Sequence, residues 1–441
     1  MQIQKIIEKL MLPAGDVLNR SSFVASLKKA RTIAFLDNEG IELVSKQKLH
    51  HLLSHATQHA PWYRQFGTGN FSLEDAALWL GTFPQLDKAT LRAKASEMLT
   101  MPKDKLIKCA SSGSSGFQSI TWMDKGQQSV TRAVQTLWWE WAGYKLGDPI
   151  LQTGINPKRT FEKRLKDRVL NTFYMHAFSH TREEVIKGLL WAQKQKDPVL
   201  GGYASSLYVI ATIAKEAGVQ VNFKTAISWG DKLFDHYRKA VLDVFGCKTF
   251  ESYGSAEGFM MAAQYDLDYL YQMLPYVYLE ILDDAGNPVP DGQMGHVVVT
   301  NLDSYAMPMI RYRIGDLAIK LPKAAYPVHR TLQLPLLQKV VGRDTDLVKT
   351  RSGKYMVVHS FTGIFEHLPQ ISQFCVVQQH LDAIDILYIP GEGFNRGILD
   401  HVQKKIHEFL GEPLSIRFEQ VQEMAPTKSG KPQLIVSSLK H

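Results

Sequence analysis

Five short segments of this 441-residue chain combine glycine, hydroxyl and charged residues in patterns suited to phosphate or nucleotide chemistry. In Ser111-Ser112-Gly113-Ser114-Ser115-Gly116, the glycines let the backbone approach an anion closely. Its hydroxyls and successive N–H groups can cradle phosphates without a fixed positive charge. No Gly-Lys-Ser/Thr follows, so this is not a Walker loop. Ser252-Tyr253-Gly254-Ser255-Ala256-Glu257-Gly258 brackets an aromatic ring and a carboxylate with glycines. There Tyr253 can stack on a base, and Glu257 can hold Mg²⁺ through oxygen.

Pro308 to Leu317 reads as an apolar strand ending in Gly315-Asp316. A carboxylate at such a strand end can accept from two ribose hydroxyls, while Arg311 and Arg313 answer phosphate charge. Gly342-Arg343-Asp344-Thr345-Asp346 and Pro426-Thr427-Lys428-Ser429-Gly430-Lys431 complete the set. A lysine on a Gly-containing loop can reach into a cleft and neutralise charge developing in a transition state. Taken singly, each segment also fits an ordinary turn or an edge strand.

The elements that must carry these segments are legible in outline. Ile41 to Gln58 has helical spacing and is stopped by Pro61; Asp87 caps a further helix. From Leu106 onward, short apolar strands such as Leu106 to Ala110 and the segment Ser119 to Met123 alternate with Gly/Ser turns. Amphipathic helices over Glu183 to Gln195 and Ser205 to Glu216 are interleaved with them. Strand and helix in alternation predict a covered parallel sheet. An apolar segment, Ala240 to Phe250, leads into the Tyr253 turn. VYLEILDDAGNPVPDGQMGHVVVT, from Val277 to Thr300, predicts antiparallel hairpins around Asp-Ala-Gly-Asn. The chain is therefore expected to be α/β, with a large N-terminal domain of mixed sheets and helices at 1–342 and a smaller α+β domain at 343–441.

Composition narrows the setting. Residues are 45% hydrophobic and 21% charged, with glycine and proline spread along the chain, as in a folded protein of two or three domains. Lys5, Glu8 and Lys9 interrupt the N-terminal apolar positions, and no run is long enough to span a membrane. Cys109, Cys247 and Cys375 are odd in number and far apart, which argues for free thiols in a cytoplasmic setting. The net charge of +8 includes a basic run from Lys158 to Lys166, readable as a solvated helix face or as a docking patch for a phosphate-rich ligand. Nucleic acid is not expected as a partner.

In order and spacing, the five segments resemble the core motifs of the ANL adenylate-forming superfamily, in its phenylacetate-CoA ligase-like branch, especially CapK-like proteins of polysaccharide gene clusters. HAPWYRQF and Ser228-Trp229-Gly230-Asp231-Lys232-Leu233 add to the likeness; the latter resembles the family's adenine-contacting segment. The resemblance implies that Ser111 to Gly116 hold the ATP phosphates and that Gly230, Asp231, Tyr253, Gly254 and Ser255 line the nucleotide. It also implies that Glu257 coordinates Mg²⁺, that Asp316 binds ribose with Arg313 and Arg343 nearby, and that Lys431 acts in adenylation. The small domain would then rotate between half-reactions.

The implied activity is an acid–thiol ligase: ATP activates a carboxylic acid as its acyl-AMP, and coenzyme A receives the acyl group. An amine or a carrier-protein thiol is the alternative acceptor, and a non-catalytic nucleotide binder is a third reading. Some relatives carry a zinc site after the Glu motif, but QYDLDYLYQML from Gln264 to Leu274 offers no Cys or His, so no zinc is expected. Departures include Phe117-Gln118 after the Ser/Gly loop, Thr345 at the hinge, and Ala425-Pro426 before the lysine loop. Self-association as a homodimer, the commonest closed assembly, stays open. Trp138, Trp139, Trp141 and Phe173 read as core, and His176 and His180 have no assigned role.

Overall fold

The computed structural model describes residues 6–66, 69–110, 120–154, 160–177, 181–343, 347–352, 354–365, 368–424, 434–437 and 439. The Ser/Gly loop 111–119, Lys158, His180, residues 344–346, and 425–433 with Lys428 and Lys431 lie outside the described residues. The described residues fall into two compact units. One is drawn from Met1–Ser111, Ser119–Ile314 and Ile319–Lys339, and the other from Gly315–Ala318 and Val340–His441.

A two-stranded antiparallel ribbon, β1 (Ile107–Ala110) and β2 (Ile120–Met123), flanks the Ser/Gly segment. The main sheet contains eleven strands among the described residues. Its parallel part is β3 (Ile150–Gly154), β4 (Thr172–His176), β5 (Val199–Tyr203), β6 (Thr225–Trp229) and β7 (Thr249–Gly254). Its antiparallel part holds β8 (Met260–Ala263), β9 (Leu270–Gln272), β10 (Val277–Leu282), β11 (Met294–Asn301), β12 (Tyr312–Lys320) and β13 (Leu336–Arg343). Strand order is β10-β11-β12-β13-β9-β8-β7-β6-β5-β3-β4.

The helices form where capping and apolar spacing agree. An α-helix, α1 (Asn38–His59), starts at Asp37, whose carboxylate accepts from the Gly40 N–H, and ends before Pro61. Helix α2 (Lys125–Trp141) is capped by Asp124. The crossover helices are α3 (Phe161–Val169), α4 (Arg182–Gln193), α5 (Ala204–Ala217) and α6 (Asp235–Phe245). Thr181 and Glu184 form a reciprocal capping box on α4.

Alternation along the parallel strands divides the core. Leu151, Met175, Leu200 and Ala226 pack with Val185, Leu189, Leu207, Ile210 and Val241 from α4, α5 and α6. Ile150, Val199 and Ile227 pack with Ala142 and Tyr144, beside Trp139 and Trp229, whose indoles stack at 5.5 Å and 18°. A buried leucine of this kind stabilises by about 1.5–3 kcal/mol, and the strands hold because both faces are covered.

The second unit has a separate core. A four-stranded sheet contains β16 (Ile371–His380), β17 (Ala383–Pro390), β18 (Ser415–Gln420) and β19 (Ile435–Ser437), in the order β18-β17-β16-β19; the preceding hairpin is β14 (Leu347–Lys349) with β15 (Tyr355–Val357). Val376, Ile384 and Ile386 meet Val402, Ile406 and Leu410 of α7 (Gly397–Leu410). The buried amide of Gln378 accepts from the Lys349 N–H (2.9 Å) and donates to the Lys349 carbonyl (2.6 Å), stapling the hairpin to this sheet.

Two sequence expectations need correction. Ala240 to Phe250 is not one apolar segment, because α6 ends at Gly246 in a left-handed cap and β7 starts afresh at Thr249. Pro308 to Leu317 is not a strand ending in Gly-Asp: the strand starts at Tyr312 and continues to Lys320, placing Gly315-Asp316 in mid-strand. Arg311, at φ 50°, breaks the run ahead of it.

Candidate active site

The parallel strands run in one direction, so their carboxyl ends share an edge of the sheet. Register places Gly154 beside His176 and Tyr203 beside Trp229, while β7 continues to Gly254. The chain leaves β3 for β4 on one side and returns from β4 to β5 on the other, which makes the gap between β3 and β5 a topological switch point. Open α/β sheets bind ligands outside the carboxyl ends at such points. The Tyr203 N–H donates to Thr153 Oγ1 across that gap (3.2 Å).

The Tyr253 turn lies at the next discontinuity, where β7 pairs in parallel with β6 and antiparallel with β8 through an irregularity between Tyr253 and Gly254. The Ser255 N–H donates to the Phe259 carbonyl, and the Gly258 N–H to the Ser255 carbonyl. Gly258, at φ 91°, presents its carbonyl to the Asn301 amide (3.2 Å), and a Cβ there would meet Met123 Cε at 2.9 Å. A non-glycine residue would strain this turn.

The turn holds Glu257 at 7% exposure, close enough to Cys109 on β1 that its charge adds to burial in pushing the Cys109 thiol upward. Among the described residues, the Glu257 carboxylate makes no hydrogen bond or ion pair, while Ser255 Oγ is buried without a partner. Mg²⁺ is commonly bound by one or two carboxylates plus substrate phosphates, so this residue fits such an ion.

Gly230 and Asp231 follow β6. Gly230 has φ 82°, and a Cβ on it would lie 2.3 Å from the Tyr203 ring. The Asp231 carboxylate accepts from the N–H groups of Ala204 (2.5 Å) and Ser205 (3.1 Å) and from the Ser205 hydroxyl (2.5 Å). It therefore occupies the positive end of α5. Burial, with the Asp231 charge behind it, pushes the phenols of Tyr203 and Tyr237 up to about 12.

The arginines expected to answer phosphate have protein partners. Arg311 grips Glu280 with two hydrogen bonds, of 3.1 and 3.0 Å, and donates to the Phe83 carbonyl. Arg313 lies 2.9 Å from the His296 ring, which itself meets Asp284 at 2.8 Å. In the second unit, Arg343 Nε is 3.1 Å from Asp316 Oδ1.

No protein-family model matches the chain. Protein CapK of Staphylococcus aureus is 21% identical over 370 residues, 82% of this chain and 81% of that protein. Phenylacetate-coenzyme A ligase of Pseudomonas putida is 26% identical over 198 residues, 42% of this chain and 43% of the ligase. Crystal structures of 2-hydroxyisobutyryl-CoA ligase superpose over nearly the full length. The postadenylation complex with R3-HIB-AMP has TM-score 0.69, 18% identity and coverage of 92% and 91%. The complex with 2-HIB-AMP and CoA in the thioesterification state has TM-score 0.58.

The chain has the ANL adenylate-forming fold.

Within that fold, Gly230, Tyr253, Gly254, Ser255 and Glu257 are brought to or beside one sheet edge, and Asp316 meets Arg343. The Ser/Gly loop and Lys431 lie outside the described residues. Sequence reasoning passed over Gly154, Tyr174 and Tyr203 at the switch point of the ANL sheet. A Cβ on Gly154 would lie 2.4 Å from the Tyr174 hydroxyl. The Gly201-Gly202-Tyr203 run, two small residues before an aromatic one at a strand end, was the available signal. Lys232 was passed over as well. It sits beside Glu251, and burial pushes its ammonium down to about 8 against the pull of that carboxylate.

Proposed function

We propose that this protein activates a carboxylic acid with ATP as an acyl-AMP and then transfers the acyl group to the thiol of coenzyme A. The observation that carries this reading is Glu257, a buried carboxylate without a partner among the described residues, on a glycine-pinned turn at the edge of an ANL sheet. The named relatives support the reading: phenylacetate-coenzyme A ligase by its activity, and 2-hydroxyisobutyryl-CoA ligase by its acyl-AMP and CoA complexes.

In the first step a substrate carboxylate oxygen bonds to the α-phosphorus of ATP, the α–β P–O bond breaks, and pyrophosphate leaves. No general base is needed, because the acid is already ionised at neutral pH. Mg²⁺, when bound, would neutralise phosphate charge. Glu257 is its proposed ligand; Ser111 to Gly116 cradle the phosphates; Tyr253 packs on the adenine beside Gly230, Gly254 and Ser255. Asp316 accepts from the ribose hydroxyls with Arg343 adjacent, and Lys431 stabilises the charge on the α-phosphate. In the second step the thiol sulfur attacks the acyl carbon, and the C–O bond to AMP breaks.

Asp231 and Arg313 enter this reading as supports of the site, through the α5 terminus and His296. Residues 1–342 form the adenylating domain, and 343–441 the domain that carries Lys431 and moves between the two steps. Free thiols and the absence, among the described residues, of a helix able to cross a membrane fit a cytoplasmic enzyme.

The test is pyrophosphate release from Mg-ATP with a panel of aromatic, aliphatic, hydroxy, amino and sugar acids, each with and without coenzyme A. Release that depends on one acid and rises with coenzyme A is expected. Release indifferent to coenzyme A would remove the thioester step, and no release with any acid would remove adenylation.

A further inference from the structure

A surface helix ordinarily buries its apolar stripe and turns its charges outward. Helix α3 leaves its stripe uncovered. Phe161, Leu165 and Val169 recur at every fourth position, forming one stripe, and are 82%, 55% and 38% exposed. Among the side chains described none of α3 is buried, and Arg164, Asp167 and Arg168 line an open cleft of about 430 Å³ beside β4, with Asn171, Phe173 and Trp191 on its other side. The apolar residues of the helix thus stand in solvent together with its cations.

Charge indicates what covers that stripe. The nine-residue sequence FEKRLKDRV has four basic and two acidic residues, on a chain of net charge +8. Lys163, Arg164 and Arg168 are exposed. A second copy docked about a two-fold axis would set this basic helix against itself, a like-charge arrangement that opposes binding. An anionic lipid surface satisfies both features: headgroup phosphates meet the cations, and the acyl boundary accepts the apolar stripe. Long arginine and lysine side chains can reach headgroups while the helix lies flat.

We propose that α3 is an interfacial anchor that lays Phe161, Leu165 and Val169 into the headgroup boundary of an anionic membrane. The attachment is peripheral and reversible, since a single short helix supplies one modest signal.

The experiment is co-sedimentation of the full chain with vesicles of phosphatidylcholine alone and of phosphatidylcholine with phosphatidylserine, at about 50 and about 500 mM salt. The double variant Phe161→Ser/Leu165→Ser is run beside it. Both side chains are exposed, so its thermal melt should match the parent. The expected result is about tenfold more binding to anionic than to neutral vesicles, lowered by high salt and lost, again about tenfold, in the double variant. Equal behaviour with the two vesicle types, or full binding by the double variant, overturns the proposal. So does a dimer, seen by light scattering, that the double variant dissolves without any vesicle binding by the parent, which would assign the stripe to self-association.

Discussion

Arg343 Nε lies 3.1 Å from Asp316 Oδ1, pairing a carboxylate in the middle of β12 with a guanidinium at the last residue of β13. The carboxylate side chain is 12% exposed and the arginine 36%, so the pair is sheltered on one side only. The guanidinium thereby fixes the direction of the carboxylate on the strand.

Replacing Asp316 with alanine should therefore weaken ATP binding by about 2 kcal/mol, roughly thirtyfold in Kd, through lost charge-assisted bonds to ribose. Isothermal titration with a non-hydrolysable ATP analogue measures this directly. Unchanged affinity would take Asp316 out of the ribose site.

Glu257→Gln should separate stability from activity. The amide has the size and shape of the carboxyl it replaces on this 7%-exposed residue, so the melting temperature should hold. Acid-dependent pyrophosphate release should drop by about a hundredfold or more as the cation ligand is lost. A variant that melts earlier yet keeps its activity would make Glu257 a structural residue.

Arg311→Ala should act on folding. It strips the partner from Glu280, whose carboxyl is pushed up by burial and held down by the Arg311 charge, and it also orphans the Phe83 carbonyl. The expected loss is about 3–5 kcal/mol in urea unfolding, with Glu280→Gln milder because the amide is neutral. A loss near zero would show the pair to be solvated.

Lys232 should make stability depend on alkaline pH. Burial takes its ammonium from 10.5 down to about 8 in the folded chain, against the opposing pull of Glu251. Between those values the unfolded chain holds the extra proton, so stability rises with pH; below about 8 both states are charged and the destabilisation is constant. Urea unfolding of the parent and of Lys232→Met, from about pH 7 to pH 10, should show the parent gaining on the variant as pH passes 8. A difference that stays flat would mean an ordinary, solvated lysine.

The legible parts of the chain were those where one local signal decided the outcome. Asp87 caps its helix through the Thr90 N–H, Pro61 closes α1, and Val277 pairs with Asn301 in the hairpin expected from alternation and Asp-Ala-Gly-Asn. Long-range partners were not legible. Arg311 looks like a phosphate ligand until Glu280, 31 residues away, is seen to hold it. Asp231 reads as a ligand-facing acid, yet its carboxylate is bound to the first N–H groups of a helix 26 residues upstream. The β3–β5 gap depends on strand order, which no local pattern encodes.

The stacking of Trp139 on Trp229 has a practical consequence. Trp229 immediately precedes the Gly230 turn, and its ring overlaps that of Trp139 at 18°. Two chromophores in such contact share their excited state, so a small displacement of the turn changes the emission of the unlabelled protein. The chain thus carries an intrinsic optical reporter at the sheet edge where the nucleotide is expected to arrive.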